Sequence, residues 1–158
     1  MKIFLTGERG IGKSTIISKV LAELSQCSLG GFFTRPDGEY IKMYPAADEN
    51  AAGFVVGKRK VSGFTEAFDT DGVDLLKRSL SSDLIILDEI GWMESSAEKF
   101  SSAIMDILSS DKNVLGVLRL GCETELAKAI KKDTSVKIIR ITEENRNDIV
   151  KELVTLFS

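Results

Sequence analysis

The 158-residue sequence predicts an α/β fold: a three-layer αβα sandwich around a mostly parallel sheet, with a β-hairpin extension, in a single domain over residues 1–158. Three observations lead there. Short apolar runs alternate with segments of helical spacing along the whole chain. Two of those runs, LIIL and NVLGVL, carry almost no polar side chain, the pattern of strands covered on both faces. Hydrophobic residues make up 43% and charged residues 28%, and this length buries roughly 70% of the unfolded surface, so the chain can enclose a core.

In chain order, KIFLT is a first strand rich in β-formers. A glycine-punctuated octet follows, and Ser14–Leu24 places Ile16, Ile17, Val20, Leu21 and Leu24 on one helical stripe. GGFFT reads as a second strand, ended by Arg35, Pro36 and the turn signal Asp37-Gly38. EYIKMYP and AGFVVGKRK are two extended segments joined through AADEN, a hairpin. Val61–Asp71 is irregular, and Gly72–Ser81 is a helix leading into DLIILDEIG. Ser95–Ser109 has helical spacing, NVLGVL is another buried strand, Thr124–Lys131 a short helix and VKIIRI a last strand. Glu143–Phe157 closes as a helix with Thr142 as its N-cap.

The octet Gly7-Glu8-Arg9-Gly10-Ile11-Gly12-Lys13-Ser14 fits GxxxxGK(S/T) between a strand and a helix. Its glycines let successive amides point at one spot, and the following helix adds the positive end of its dipole. Such a cradle binds phosphates: Lys13 reaches the β and γ groups, Ser14 offers a hydroxyl to magnesium, and Thr15 continues the cradle. LIILDEIG supplies the second half. Asp88 ends a buried strand, where an acid is costly unless it faces a cation or a cleft, and it fits a Walker B metal acid. Glu89 beside it is the candidate base for water. An acid pair of this kind resembles the P-loop division with an additional strand between the two Walker strands, here NVLGVL. That arrangement points Arg119 at the γ-phosphate.

Composition removes other chemistries. No histidine is present, so neutral acid–base work falls to carboxylates, lysine or metal-bound water. A net charge of -3 without a basic run gives no reason to expect nucleic acid. Cys27 and Cys122 cannot form a CxxC pair and read as free thiols of a reducing compartment. The opening MKIFLTGERG is too short in apolar residues for a signal peptide, and no stretch approaches ~20 apolar residues. A cytoplasmic protein without membrane partners, monomeric or weakly oligomeric, is expected.

FLTGERGIGKSTII, GGFFTR, DEIGWMES and ITEENRND, in that order, resemble the motifs of the small P-loop nucleoside-triphosphatase family, also called cancer-related or thermophilic nucleoside-triphosphatase. The resemblance implies a P-loop NTPase fold and Mg2+-dependent hydrolysis of ATP, GTP and other nucleoside triphosphates with loose base preference. It places Asn145 and Arg146 near the base or ribose and Glu94, of DEIG-x-ME, as a secondary catalytic or magnesium-site acid. Two positions depart from the family pattern. Trp92 stands where a lysine is usual, and Arg35-Pro36-Asp37-Gly38 replaces an acidic-Val-Arg segment. Arg9, Arg35, Lys42 and Arg119 are the candidates to replace the missing cations. Lys58-Arg59-Lys60 reads as a solvated hairpin end, with contact to phosphate or a partner as the alternative. A nucleoside or nucleotide kinase would use the same cradle but needs an acceptor site and an arginine-rich lid, and no lid cluster is visible. A nucleotide-binding switch with very slow turnover is the third reading.

Overall fold

A computed structural model describes residues 1–48 and 50–158. One eight-stranded sheet runs through it, in the order β5-β4-β3-β2-β6-β7-β1-β8. Its strands are β1 (Lys2–Thr6), β2 (Leu29–Asp37), β3 (Tyr40–Pro45), β4 (Phe54–Lys58), β5 (Ser62–Gly63), β6 (Leu84–Ile90), β7 (Asn113–Leu118) and β8 (Val136–Arg140). From β2 through β6, β7 and β1 to β8 every pairing is parallel, whereas β3, β4 and β5 add antiparallel strands on the far side of β2. The additional strand between the Walker strands is β7, as expected.

The period of two along each central strand sorts its side chains into two cores. In β1, Ile3 and Leu5 face the layer of α1 (Lys13–Glu23) and α6 (Ile149–Phe157), joined by Ile16, Ile17, Val20, Leu153 and Phe157. Phe4 faces the opposite layer, which holds α3 (Val73–Ser79), α4 (Glu98–Ser109) and α5 (Glu125–Lys132). β6 repeats the split, with Leu84 and Ile86 on the first side and Ile85 and Leu87 on the second. Strands covered on both faces must read as continuous apolar runs, which is why LIIL carries no polar residue. Truncating a fully buried member such as Ile86 to alanine costs about 2–5 kcal/mol.

Several boundaries differ from the sequence reading, each for a local reason. β2 does not stop at Thr34; it continues through Arg35 and Pro36 to Asp37, pairing with β3 around a Gly38–Glu39 turn. Proline is tolerated there because β2 pairs with β6 only as far as Phe33, so the missing N–H leaves no ladder gap. The expected β3–β4 hairpin forms, and of its AADEN connection Glu49 lies outside the described residues. The irregular stretch after Val61 holds β5, a single turn α2 (Thr65–Ala67) and a wide π-turn, Phe68–Gly72. α4 begins at Glu98 rather than Ser95, since Ser95 N–H bonds Trp92 O and Ala97 N–H bonds Glu94 O in a separate turn. Its N-terminus is capped from a distance: Asp69 of the π-turn accepts from Phe100 N–H at 2.9 Å.

α6 begins at Ile149, not Glu143. Thr142 does accept from Asn145 N–H, at 3.3 Å, but it caps an isolated turn over 143–148 that precedes the helix. Thr124, by contrast, is the N-cap of α5, accepting from Ala127 N–H at 3.2 Å. Both cysteines are free thiols. Among the described residues no helix is long and apolar enough to cross a membrane.

Candidate active site

The first part of the site is backbone. Between β1 and α1 the chain turns through Gly10 at φ +81° and Gly12 at φ +112°, left-handed angles that an L side chain resists. Gly12 is also the N-cap of α1 and brings no side chain to cap it, and no acid sits in the first turn. The first N–H groups of α1 therefore face outward with their partial positive charge uncompensated. Lys13 folds back over the loop, donating from Nζ to Gly7 O at 2.7 Å and Glu8 O at 2.9 Å. Burial draws its pKa below the ordinary lysine value, opposed by the nearby Glu89 and Asp88 carboxylates.

The second part is carboxylate, at the carboxyl end of β6. Asp88 pairs with Val117 and Ile90 with Leu118, so Glu89 is the extra residue of a bulge. The Thr34 hydroxyl bridges the bulge, donating to Asp88 O and accepting from Glu89 N–H, both at 3.2 Å. Asp88 is 3% exposed, and Arg35 Nη2 donates to its Oδ2 at 3.2 Å. Arg35 is itself fixed by a 2.8 Å bond from Nη1 to Thr34 O and lies 4.9 Å from the Phe33 ring centre. Burial raises the Asp88 pKa, with Arg35 and Lys13 opposing it. Burial also raises Glu89, reinforced by Asp88 and opposed by Arg119, Lys13 and Arg35. Glu94 is 3% exposed and accepts from Gly91 N–H at 2.6 Å; burial pushes its pKa up to about 8.

Both parts open on one cavity of about 800 Å³, which also takes in Thr34, Arg35, Trp92 and Arg119. The Gly7–Ser14 turn and the buried acid pair on one hollow are what the motif spacing predicts. The family model described as NTPase matches residues 2–39 and 41–154. The chain belongs to this NTPase family. A nucleoside-triphosphatase THEP1 from Thermotoga sp. (strain RQ2) is 34% identical over 99% of this chain and 95% of the relative. The THEP1 of Methanocaldococcus jannaschii is 32% identical over 98% and 95%. The crystal structure of THEP1 from the hyperthermophile Aquifex aeolicus superposes with a TM-score of 0.84 at 23% identity, covering 100% of this chain and 99% of that one, which shows the same fold.

Within this NTPase scaffold the expected site residues separate into groups. Gly7, Glu8, Arg9, Gly10, Gly12, Lys13, Ser14, Thr15, Asp88, Glu89, Glu94 and Arg119 all line the cavity. Ile11 does not; its carbonyl turns away and accepts from Arg146 Nη1 at 3.4 Å. Asn145 and Arg146 also lie off the cavity, on the turn after β8. The Asn145 amide is committed to backbone, donating to Arg140 O at 2.8 Å and accepting from Thr142 N–H at 2.8 Å. Of the candidate replacement cations, Arg9, Arg35 and Arg119 reach the cavity, while Lys42 pairs with Asp37 at 2.8 Å outside it. Lys58, Arg59 and Lys60 are exposed, as a solvated hairpin end should be, and Arg59 and Lys60 also border the cavity. The Arg35–Asp88 pair was hidden because strand pairing between β2 and β6 creates it. The only local signal was an arginine directly following a strand.

Proposed function

We propose that the chain is a Mg2+-dependent nucleoside-triphosphatase, converting ATP, GTP and other nucleoside triphosphates to diphosphate and phosphate. In this reading it works as a single cytoplasmic domain, monomeric or weakly oligomeric, without nucleic-acid or membrane partners. The observation that carries the reading is the shared cavity: the Gly7–Thr15 cradle and the Asp88–Glu89 pair face the same space. The relatives named nucleoside-triphosphatase over nearly their full length support it.

The donors present suit magnesium. Ser14 and Asp88 offer hard oxygens on one cavity, and among the described residues no cluster of three or more His, Cys, Asp or Glu forms a cage. A magnesium ion that keeps waters and phosphate oxygens needs only one or two protein ligands. When bound, the ion neutralises charge on the β and γ phosphate oxygens.

The protein groups do the rest. The Lys13 ammonium exchanges the Gly7 and Glu8 carbonyls for the β and γ phosphates. Glu89, made more basic by burial, takes a proton from water as the water oxygen bonds the γ-phosphorus. The bond from that phosphorus to the bridging oxygen breaks, and nucleoside diphosphate leaves. Arg35 and Arg119 stand on the same cavity and stabilise charge on the transferring group. Asn145 and Arg146, off the cavity lining, are assigned to the nucleoside side; the Asn145 amide spends one N–H and one lone pair on backbone and keeps one of each for a base.

Incubating the purified chain with magnesium and γ-labelled ATP or GTP tests this. Release of labelled free phosphate is expected, and stable binding without release contradicts it.

A further inference from the structure

The loop between β1 and α1 has two sides. Its cradle opens on the cavity, and its outer side rests on the segment that follows β8. That segment begins where Ile141 N–H donates to Thr6 O at 2.8 Å, carrying the β1–β8 pairing up to the edge of the loop. A Cβ on Gly7 would stand 2.9 Å from the Ile141 carbonyl oxygen and 3.2 Å from Ile11 Cγ2, so the loop is packed against both. The Ile11 side chain in turn lies on the core beneath α1 and α6, which also holds Ile141.

The turn over 143–148 is organised by one residue. Asn145 donates its own N–H to Thr142 Oγ1 at 3.3 Å, and its side-chain amide holds Arg140 O and Thr142 N–H, each at 2.8 Å. Its carbonyl accepts from Asp148 N–H at 3.1 Å and Ile149 N–H at 3.0 Å. Arg146, the next residue, therefore projects from a fixed root. Glu143, Glu144 and Asp148 share its turn, and none of these described acids pairs with it. Its Nη1 instead crosses to the loop and donates to Ile11 O at 3.4 Å.

The value of that bond depends on what else holds the loop. Lys13 ties it from the cavity side, through Gly7 O and Glu8 O. In the reading proposed above, the ammonium leaves both carbonyls for the phosphates. The inner tie is then lost just when the amides must stay convergent on the ligand. What remains within the loop is the bond from Ile11 N–H to Glu8 O at 3.2 Å. A loop that spends part of its time away from the binding shape weakens its ligand in proportion. The Arg146 contact does not compete with phosphate, since neither Ile11 nor Arg146 borders the cavity.

We infer that Arg146 is a positioning residue: it braces the phosphate loop from outside by holding the Ile11 carbonyl, so that the cradle keeps its shape when Lys13 turns to the phosphates. The brace rests on the reading of Lys13 given above. It goes beyond that reading because it gives the turn after β8 a part in gripping phosphate, independent of the nucleoside.

Binding of ATP and of inorganic tripolyphosphate to the full chain, each with magnesium, separates a brace from a nucleoside contact, because tripolyphosphate has no nucleoside to touch. Arg146→Ala is expected to weaken both ligands alike, by about threefold to tenfold, the range of one charge-assisted hydrogen bond near the surface. Arg146→Lys keeps a cationic donor and loses less for both. The thermal midpoint of each variant stays within about 2 °C of the parent's, as for an exposed side chain. With tripolyphosphate saturating, the amides of residues 8–12 exchange with solvent faster in Arg146→Ala than in the parent, which loss of a distant charge alone does not produce. Tripolyphosphate affinity at the parent value in Arg146→Ala overturns the inference, whether or not ATP binds more weakly, and so does unchanged exchange of the loop amides. A parent chain that binds both ligands but releases no phosphate from ATP contradicts the hydrolase reading and leaves the brace standing.

Discussion

The two halves of the sheet do different work. In the parallel half, β6-β7-β1-β8, the strands β6, β7 and β1 are buried on both faces and β8 is a half-exposed edge. The proposed reacting groups stand at the carboxyl ends: the amide cradle after β1, the acid pair after β6 and Arg119 after β7. The antiparallel half, β3-β4-β5, adds wall and reach through Ile41, Val56, Arg59 and Lys60. Between them β2 belongs to both, parallel to β6 and antiparallel to β3, and it carries Thr34 and Arg35 onto the acid pair. In the proposed mechanism catalysis therefore depends on the doubly covered strands β6, β7 and β1, and the shape of the cavity on a thinner extension.

If that division is right, substitutions in the parallel half change chemistry and those in the antiparallel half change stability or shape. The largest effect falls on Lys13→Ala: nucleotide affinity, measured by calorimetry, drops by about 10²-fold or more because the one ammonium in the cradle is lost. Unchanged affinity would break the comparison at its strongest point. Arg35→Ala, on the strand shared by both halves, lowers turnover by about tenfold to 10²-fold, the range for one transition-state cation. A turnover within twofold of the parent assigns Arg35 to holding Asp88 alone.

Gly63→Ala probes the antiparallel side. A Cβ at that position would overlap the Met93 carbonyl, so β5 and the 91–94 turn must separate. Urea unfolding is expected to show a loss of about 1–3 kcal/mol, the scale of local overpacking. An unaffected midpoint would show that the extension does not press on the turn.

The last prediction concerns Glu94. Its carboxyl has a folded pKa of about 8 against an ordinary value near ~4.3. Between those values the folded chain holds a proton that the unfolded chain has released. Stability is therefore highest below the unfolded value and falls as pH rises toward 8, by at most about 1.4 kcal/mol per pH unit. Glu94→Gln keeps an acceptor for Gly91 N–H and removes the slope. Unfolding at pH 5 and pH 8 reads it directly, and equal slopes in parent and variant contradict the assignment.

The same division explains what was legible in the sequence. Central strands announce themselves, since burial on both faces forces runs such as LIIL, and the cradle is encoded in contiguous residues whose spacing is its geometry. The position of β7 between the Walker strands followed from Asp88-Glu89. The antiparallel half was harder to read. Whether Arg35 ends a strand or reaches Asp88 depends on the register of β2 against β6, which no local pattern carries. Arg59 and Lys60 are exposed as a solvated turn should be, and only the folded hairpin brings them to the edge of the cavity. The starts of α4 and α6 shifted because Glu94 and Thr142 bond nearby backbone in isolated turns, offering an alternative to helix. Glu94 lines the cavity as expected, and its Oε1 accepts from Gly91 N–H.

The central claim is that Glu89, on its bulge between the cradle and Asp88, activates the water that cleaves a bound triphosphate. Single-turnover hydrolysis of γ-labelled ATP by Glu89→Gln, measured alongside equilibrium binding of ATP, tests it most directly. The account predicts parent-like binding with phosphate release slowed by about 10²-fold or more. Release at the parent rate from a variant that still binds ATP would contradict it.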